Sequence, residues 1–285
     1  MDTAATRSTT PYLGDKQSGS ELFAHPGSRF EARLFGPFKI QRTDGVDLDS
    51  MALGRTSVRT LLKWFLLHPG ERFDASDLCK VLWPAAPTQT LGNRLDVTVH
   101  HLRRLLEPEL PAPNMSNFVK FKRNGLYWFD DAGTWRSDLQ DTQEDWSNAE
   151  RAETRGDAVG AIELLEAVVD RHDATFLLEN LFDDAFAPSR AAQEVVHRDA
   201  LARLLDLYVA VGSPHQAVPC ALTLLELDPY SERAATTLAE IQLGQGHRLS
   251  ARTHLGRSLR QMQQELGCRP SEHALQVWRE IADPA

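Results

Sequence analysis

Residues 88–130 read TQTLGNRLDVTVHHLRRLLEPELPAPNMSNFVKFKRNGLYWFD, and this stretch decides the fold. Its first half, Thr88–Glu107, repeats leucine or valine every three or four residues, which is the period of a helix with one buried side. Its second half holds two strand-like runs, Phe118–Arg123 and Leu126–Asp130. Asn124-Gly125 between them is the strongest short signal of a hairpin turn, because a type I′ turn needs positive φ at both central residues. The sequence therefore predicts a basic helix followed by a charged β-hairpin.

The two sides of the predicted helix differ in chemistry. The buried stripe consists of Leu91, Leu95, Val99, Leu102 and Leu106. The opposite side and its flanks offer an amide suited to adenine, a methyl group suited to thymine, and cations suited to guanine or phosphate. We predict that these side chains contact DNA: Asn93, Arg94, Val97, His100, His101 and Arg104. Asp96 and Arg103, at the border, are predicted to pair with each other. The alternative for exposed helix charge is simple solvation.

The predicted hairpin carries three cations, Lys120, Lys122 and Arg123, on one strand and the turn. Charge on an edge strand can serve only to prevent aggregation. Directly after a basic helix, however, three cations beside an exposed turn favour phosphate neutralisation. A helix in the major groove with a hairpin against the backbone is the arrangement of a winged helix-turn-helix.

The residues before this stretch predict the remainder of that domain. Glu31–Leu48 contains short strand-like runs interrupted by Gly36-Pro37 and Asp44-Gly45, which predict a small antiparallel sheet. Ser57–Leu67 has helical spacing, and Asp74 or Ser76 is expected to cap a second helix that ends at Leu82. Further phosphate contacts are possible at three cations, for which solvated surface is the alternative: Arg55, Arg59 and Lys63.

Strand signals vanish after Asp131, and seven helices are predicted, over 140–155, 157–170, 190–211, 214–227, 230–244, 247–265 and 271–282. The pattern G-x4-A recurs at Gly156, Gly212 and Gly246, with the glycine ending one helix and the alanine packing in the next. The last two copies lie 34 residues apart, which is the tetratricopeptide period, and the first is offset by the inserted Arg171–Ser189 segment. A helical solenoid follows, with a chance pattern in a helical bundle as the alternative.

Length and charge agree with two domains. The 285 residues are 42% hydrophobic and 25% charged, as in ordinary globular proteins. The net charge of −9 is unevenly distributed. Residues 31–130 are basic, whereas residues 131–285 are acidic and contain no lysine. The acidic half is therefore expected to face away from DNA. Residues 1–30, rich in Ser, Thr, Gly and Pro, predict a flexible tail.

Enzymatic and metal-site patterns are not found. No G-x4-GK[ST] phosphate loop, HExxH or GxSxG is present, and the acidic group of Glu179, Asp183 and Asp184 is read as a solvated turn. Cys79 and Cys220 are predicted to be buried thiols rather than parts of a disulfide framework or a zinc site. We predict no enzyme activity, no cofactor and no metal. No apolar run has the length of a membrane span, and no signal peptide is visible at the start.

Two regions resemble known families. LDVTVHHLRRLL (95–106) resembles the recognition helix of OmpR/PhoB-type winged helices. The order of ARLFGPFKIQ (32–41), SVRTLLKWFLLHPGERFDASDLCKVLWP (57–84), this helix and a GLYWF hairpin resembles the streptomycete antibiotic regulatory protein (SARP) family. LLENLFDDAFAPSR (177–190) and RQMQQELGCRPSEHALQVWREI (260–281) resemble the bacterial transcriptional activator domain of those proteins. Family members often have arginine near His100 and His101, so base preference is not carried over.

The resemblance implies a DNA-binding transcriptional activator of secondary metabolism. Residues 1–30 would be the tail, 31–131 the winged helix and 138–283 the activator domain. The expected partners are promoter DNA with direct repeats, RNA polymerase holoenzyme, and a second copy as a homodimer or tandem pair. A cytoplasmic, nucleoid-associated protein without membrane contact is expected. The alternative is a tetratricopeptide-type sensor for a protein or ligand, in which the winged helix serves protein contacts.

Overall fold

The computed structural model describes residues 28–44, 48, 56–86, 91–112, 115–122, 125–131 and 133–282. We call residues 28–137 the amino-terminal part and residues 138–282 the helical part. Within the described residues, no helix has both the length and the apolar character needed to cross a membrane.

The described residues of the amino-terminal part form three helices and two small sheets. Its helices are α1 (Thr56–Leu67), α2 (Ala75–Leu82) and α3 (Gly92–Leu106). Its strands are β1 (Phe30–Arg33), β2 (Lys39–Arg42), β3 (Phe73–Asp74), β4 (Val119–Lys122), β5 (Leu126–Phe129) and β6 (Trp135–Ser137). One sheet has the order β2-β1-β6 and the other the order β3-β5-β4.

The first sheet corrects two sequence-based expectations. β1 begins at Phe30, which is fully buried, so the predicted tail 1–30 extends too far; residues 1–27 lie outside the described residues. β6 follows Asp131, where no strand was predicted, and runs parallel to β1. A three-residue strand whose partner lies about 100 residues earlier has no local signature, because its pairing depends on tertiary contacts.

The predicted helices and hairpin are confirmed. The stripe of α3 is buried from Leu91 to Leu106, although α3 begins at Gly92 and Thr88 lies outside the described residues. Asp74 is the cap of α2, and its side chain accepts a hydrogen bond from the Asp77 amide at 2.9 Å. β4 and β5 pair antiparallel, and Gly125 (φ +85°) donates its N–H to the Lys122 carbonyl. Asn124 lies outside the described residues.

The helical part consists of the seven predicted helices. They are α4 (Asp138–Thr154), α5 (Ala158–His172), α6 (Ala187–Ala210), α7 (Pro214–Leu227), α8 (Glu232–Gly244), α9 (Arg248–Gln261) and α10 (Glu272–Ala282). Consecutive helices pack as antiparallel pairs in a tetratricopeptide-like solenoid.

The G-x4-A pattern marks the turns inside the helix pairs. Gly156, Gly212 and Gly246 have φ between +70° and +79°, a conformation that glycine adopts without strain. The alanines five residues later, Ala161, Ala217 and Ala251, are fully buried where the next helix approaches closely. The sequence-based reading of this pattern is therefore confirmed.

Cys79 and Cys220 are buried thiols, as predicted, and burial raises the pKa of Cys220 to about 12.

The segment between α5 and α6 joins the two parts. Phe176, Leu177 and Phe186 belong to the same buried cluster as Phe30, Phe65 and Phe129 of the amino-terminal part. The Leu177 N–H donates to the Leu34 carbonyl at 2.8 Å, and the Gly36 N–H donates to the Thr175 carbonyl at 2.9 Å. The segment that interrupts the helical repeat is thus part of the core of the other half.

Candidate nucleic-acid interface

The solvent side of α3 is polar and projects from a fixed base. Asn93, Arg94, Val97 and His100 are exposed there, and Val97 retains 49% of its accessible surface. The buried residues behind them pack on α1 and α2. Residues at such spacing share one side of a helix, so four of the six predicted contact residues form one continuous surface.

The other two predicted residues of α3 are oriented differently. Arg104 is half-buried, and its Nη1 donates to the Leu110 carbonyl at 2.8 Å, in the loop that follows the helix. His101 is half-buried, and its ring lies 5.7 Å from that of His100 in an edge-to-face arrangement. Arg104 therefore supports the end of α3, while His100 is the histidine that faces solvent.

Arg94 is positioned by an aromatic residue that sequence reasoning missed. Its guanidinium carbon lies 4.8 Å from the centre of the Trp83 ring, within the range of a cation–π interaction. Trp83 follows α2, so the contact joins the surfaces of α2 and α3. A tryptophan eleven residues earlier, in a different element, gives no local signal of this contact.

The hairpin is bonded to the flank of α3. The Arg103 Nε donates to the Val119 carbonyl at 2.9 Å, and the Tyr127 hydroxyl donates to Asp96 Oδ1 at 3.2 Å. Burial and the Asp96 carboxylate raise the pKa of Tyr127 to about 12, so it keeps its proton. The predicted Asp96–Arg103 ion pair is wrong: each side chain bonds to the hairpin instead, because β4 and β5 approach from that side.

The cations of the hairpin lie on its outer face. Lys120 is opposite Trp128 and Lys122 is opposite Leu126, whereas Val119, Tyr127 and Phe129 face inwards. Arg72, which sequence reasoning missed, lies 5.4 Å from the centre of the Trp128 ring and adds a third cation to this face. Arg123 lies outside the described residues.

A buried carboxylate fixes the loop between α3 and the hairpin. Glu107, directly after α3, is almost fully buried. It accepts hydrogen bonds from the Ser116 hydroxyl at 2.6 Å and from the Asn117 amide nitrogens at 2.7–3.1 Å. Ser116 in turn accepts from the Val119 N–H at the start of β4. The exposed side of α3 and the hairpin are therefore held in a fixed position relative to each other.

Two of the three further cations predicted as possible phosphate contacts, Lys63 and Arg59, do not extend this surface. Lys63 is 2% exposed, and its Nζ donates to Glu179 Oε2 at 2.6 Å and to Asn180 Oδ1 at 2.7 Å. Arg59 donates to Glu179 Oε1 at 2.7 Å and to the Phe38 carbonyl at 3.0 Å. Lys63 is thus inaccessible to phosphate because the 176–186 segment covers it, and Arg59 serves the same junction. Arg55 lies outside the described residues.

The helical part has its own groove, with a volume of about 520 Å³, between α6, α8 and the start of α10. Acidic side chains dominate it: Asp206, Glu232 and Glu240, of which the first pairs with Arg233 and the last with His273. The described residues contain no cluster of three or more His, Cys, Asp or Glu that would hold a metal ion.

Comparison with known proteins identifies the helical part. The family model for the bacterial transcriptional activator domain matches residues 137–282, slightly more than half of the chain. The chain belongs to this family. The match confirms the predicted resemblance of the helical part to the activator domain of SARP-family proteins.

Two relatives extend the likeness beyond that domain. The regulatory protein AfsR of Streptomyces coelicolor is 26% identical over 260 residues, which cover 88% of this chain and 24% of AfsR. This chain therefore spans about a quarter of the length of that relative. The solved structure of Mycobacterium tuberculosis EmbR, in complex with a low-affinity phosphopeptide, superposes with a TM-score of 0.74 at 19% identity. That match covers 90% of this chain and 66% of EmbR, and it is a likeness of fold.

Proposed function

We propose that the protein is a sequence-specific DNA-binding transcriptional activator of the SARP type. In this proposal residues 31–131, extended by Phe30 and β6, are a winged helix, and residues 138–283 are the activator domain. The observation that carries the proposal is the exposed side of α3, with Asn93, Arg94, Val97 and His100 held beside a hairpin whose outer face is cationic.

Each part of this surface has a distinct task. α3 enters the major groove, where Arg94 contacts guanine or phosphate, Asn93 contacts adenine and Val97 packs on a thymine methyl group. Lys120, Lys122, Arg123 and Arg72 neutralise phosphates and fix the register of the protein on the duplex. His100 adds a further polar contact on the exposed side of α3.

The acidic helical part determines the orientation of the complex. Its charge directs it away from the duplex, towards protein partners. Two copies bound side by side on direct repeats, with the helical parts contacting each other and RNA polymerase, form the proposed activating assembly.

Selection of binding sites from a random pool of duplex DNA by the full chain tests this proposal. We expect a repeated motif to be enriched. For the selected duplex, Arg94→Ala should weaken binding by about 1–3 kcal/mol and relax the preference at one base position. Lys122→Ala should weaken all sequences equally and lower the slope of log affinity against log salt by about one.

A matched control separates surface charge from interface contact. Arg233→Ala removes an exposed arginine of the helical part, so it should leave DNA affinity unchanged. Unchanged affinity in both Arg94→Ala and Lys122→Ala would refute the proposed interface.

The groove of the helical part favours a second candidate function, that of a sensor. Its lining combines three carboxylates with Arg233, His273 and the buried Thr236 hydroxyl, for which no hydrogen-bond partner is resolved. Such a lining suits a small cationic or zwitterionic effector or a peptide. If the selection enriches no sequence at low salt while a ligand raises the melting temperature of the protein, the sensor function is favoured.

A further inference from the structure

The most exposed large apolar side chain resolved in the protein lies on the segment that joins its two parts. Phe182 retains 96% of its accessible surface, and Leu178 and Leu181 retain 41% and 38%. We call Leu178, Leu181 and Phe182, with Asp183 and Asp184, the apolar turn. Phe186, four residues later, is fully buried. One phenylalanine therefore fixes the segment in the core, and the other lies in solvent.

The backbone of the apolar turn is constrained on both sides. Before it, Leu177 is almost fully buried and adopts φ +53°, ψ +44°, a left-handed conformation that is strained for a residue with a side chain. After it, Arg190 Nη1 donates to the Asn180 carbonyl at 2.5 Å and to the Asp183 carbonyl at 3.3 Å. The Asn180 amide donates to Asp183 at 2.6 Å.

These contacts mean that Phe182 is presented on a fixed support. A strained residue persists only where its surroundings over-determine it, and such residues concentrate at functional positions. Because the backbone that carries Phe182 is already ordered, a partner that buries the ring does not have to order this backbone first. Aromatic residues that fill a pocket are also the ones that dominate the energy of protein interfaces.

Charge determines what kind of surface the apolar turn accepts. Asp183 and Asp184 are exposed beside Phe182, and Glu179 is partly exposed while pairing with Arg59 and Lys63. A partner therefore needs an apolar pocket with a rim of lysine or arginine. In the groove of the helical part, three carboxylates outnumber Arg233 and His273, so the net charge of the groove disfavours the acidic turn. This argues against a second copy offering that groove.

We propose that the apolar turn is a docking surface for a lysine- or arginine-rimmed apolar pocket on RNA polymerase holoenzyme. Phe182 enters the pocket, Leu178 and Leu181 cover its edge, and Asp183 and Asp184 face the basic rim. Three apolar side chains make a small contact, which suits transient recruitment. This inference rests on the proposed activator function and names the surface through which it acts.

The test measures binding of purified RNA polymerase holoenzyme, from the bacterium that encodes the protein, to the tethered full chain. The measurement is made without DNA and again on the selected duplex. Phe182→Ala should weaken polymerase binding by about 30-fold, the equivalent of a 2 kcal/mol hot spot. Asp184→Lys should also weaken polymerase binding. The loss should be larger at low salt than at high salt, because salt screens the charge contribution.

Leu249→Ala is the matched control, since Leu249 is 79% exposed on α9 and lies outside the apolar turn. Leu249→Ala should leave polymerase binding unchanged. Both Leu249→Ala and Phe182→Ala should keep the melting temperature and the DNA affinity of the parent. Equal binding by Phe182→Ala and the parent, or no polymerase binding by the parent, would overturn the inference. So would a Phe182→Ala variant that changes the mass of the free protein in sedimentation, because the turn would then join two copies.

The two proposals fail separately. If the parent selects no DNA sequence, the activator function fails, whereas the polymerase measurement without DNA still decides the role of the apolar turn.

Discussion

At the scale of single residues, burial at the junction between the two parts shifts the pKa of ionisable side chains. Asp138 is the first residue of α4, and its carboxylate accepts hydrogen bonds from the backbone N–H groups of Leu34 and Phe35 at 2.8–2.9 Å. Burial nevertheless raises the pKa of Asp138 to about 6, from its usual 3.8, because these two N–H donors only partly replace water.

The Asp138 carboxyl predicts a pH-dependent contribution to stability. The folded protein binds the proton more tightly than the unfolded chain, so this contribution is fully present below about pH 4 and is lost as pH rises through about 6. A shift of about two units corresponds to roughly 3 kcal/mol. The stability of the parent relative to Asp138→Asn should therefore fall between pH 4 and 7. Denaturant unfolding of both proteins across that range measures it, and a constant difference would contradict the shifted pKa.

Substitutions of Lys63 and Glu179 are expected to have non-additive effects on the free energy of unfolding. Burial lowers the pKa of Lys63, and the Glu179 carboxylate offsets this by hydrogen bonding and charge. Glu179→Gln leaves a buried ammonium without its counter-charge and should cost about 1–3 kcal/mol, a value reduced because Glu179 is partly exposed. Lys63→Met combined with Glu179→Gln should cost less than the sum of the two single changes, as a double-mutant cycle of unfolding free energies would measure.

The exposed pair of Lys80 with Asp77 provides the control for this cycle. Lys80→Ala should leave the unfolding free energy almost unchanged, because solvent screens an exposed pair. Additive effects of the Lys63 and Glu179 variants would show that the buried pair is not coupled.

At the scale of elements, replacing two nearby glycines of a solenoid turn by alanine is expected to change stability in opposite directions. Gly246 has φ +79°, which strains any residue with a Cβ, whereas Gly244 is the last residue of α8 and has open space where a Cβ would lie. Gly246→Ala should destabilise the protein by about 1–2 kcal/mol. Gly244→Ala should stabilise it by about 0.5–1 kcal/mol through helix propensity. Thermal unfolding of the two variants measures both signs, and a shared sign would contradict the assignment of the turn.

The same elements show how far sequence reasoning reached. The α3 stripe, the β4–β5 hairpin and the seven solenoid helices follow local periodicities, which report burial directly. β6 was missed, because three residues carry no usable period and their partner is β1. The direction of Arg104 and the Arg94–Trp83 contact were also missed, since both depend on a neighbouring loop or helix.

At the scale of the whole molecule, the 176–186 segment gives the two parts a shared core, so we expect them to unfold together. Phe186 lies in the core of the amino-terminal part, 5.8 Å from Trp64 between ring centres. Phe186→Ala should therefore cost about 3–5 kcal/mol and lower the stability of both parts together. Phe182→Ala, four residues away and exposed, is the matched control and should have little effect.

Denaturant unfolding followed by near-ultraviolet and far-ultraviolet signals would measure this coupling. Coincident transitions that shift together in Phe186→Ala are expected. Separate transitions, of which Phe186→Ala displaces only one, would contradict a shared core.

The sequence by itself determined which segments are helices and hairpin, where the solenoid turns, and which side of α3 is polar. Those features follow from periodicity and from the conformational freedom of glycine, and both are local properties of the chain. Only the tertiary structure decided that Lys63 and Arg59 lie at a junction instead of a DNA surface, and that the interrupting segment completes the neighbouring core. A cation has the same local signature whether a carboxylate 116 residues away or solvent lies beside it. Its role is fixed only when folding brings the two together.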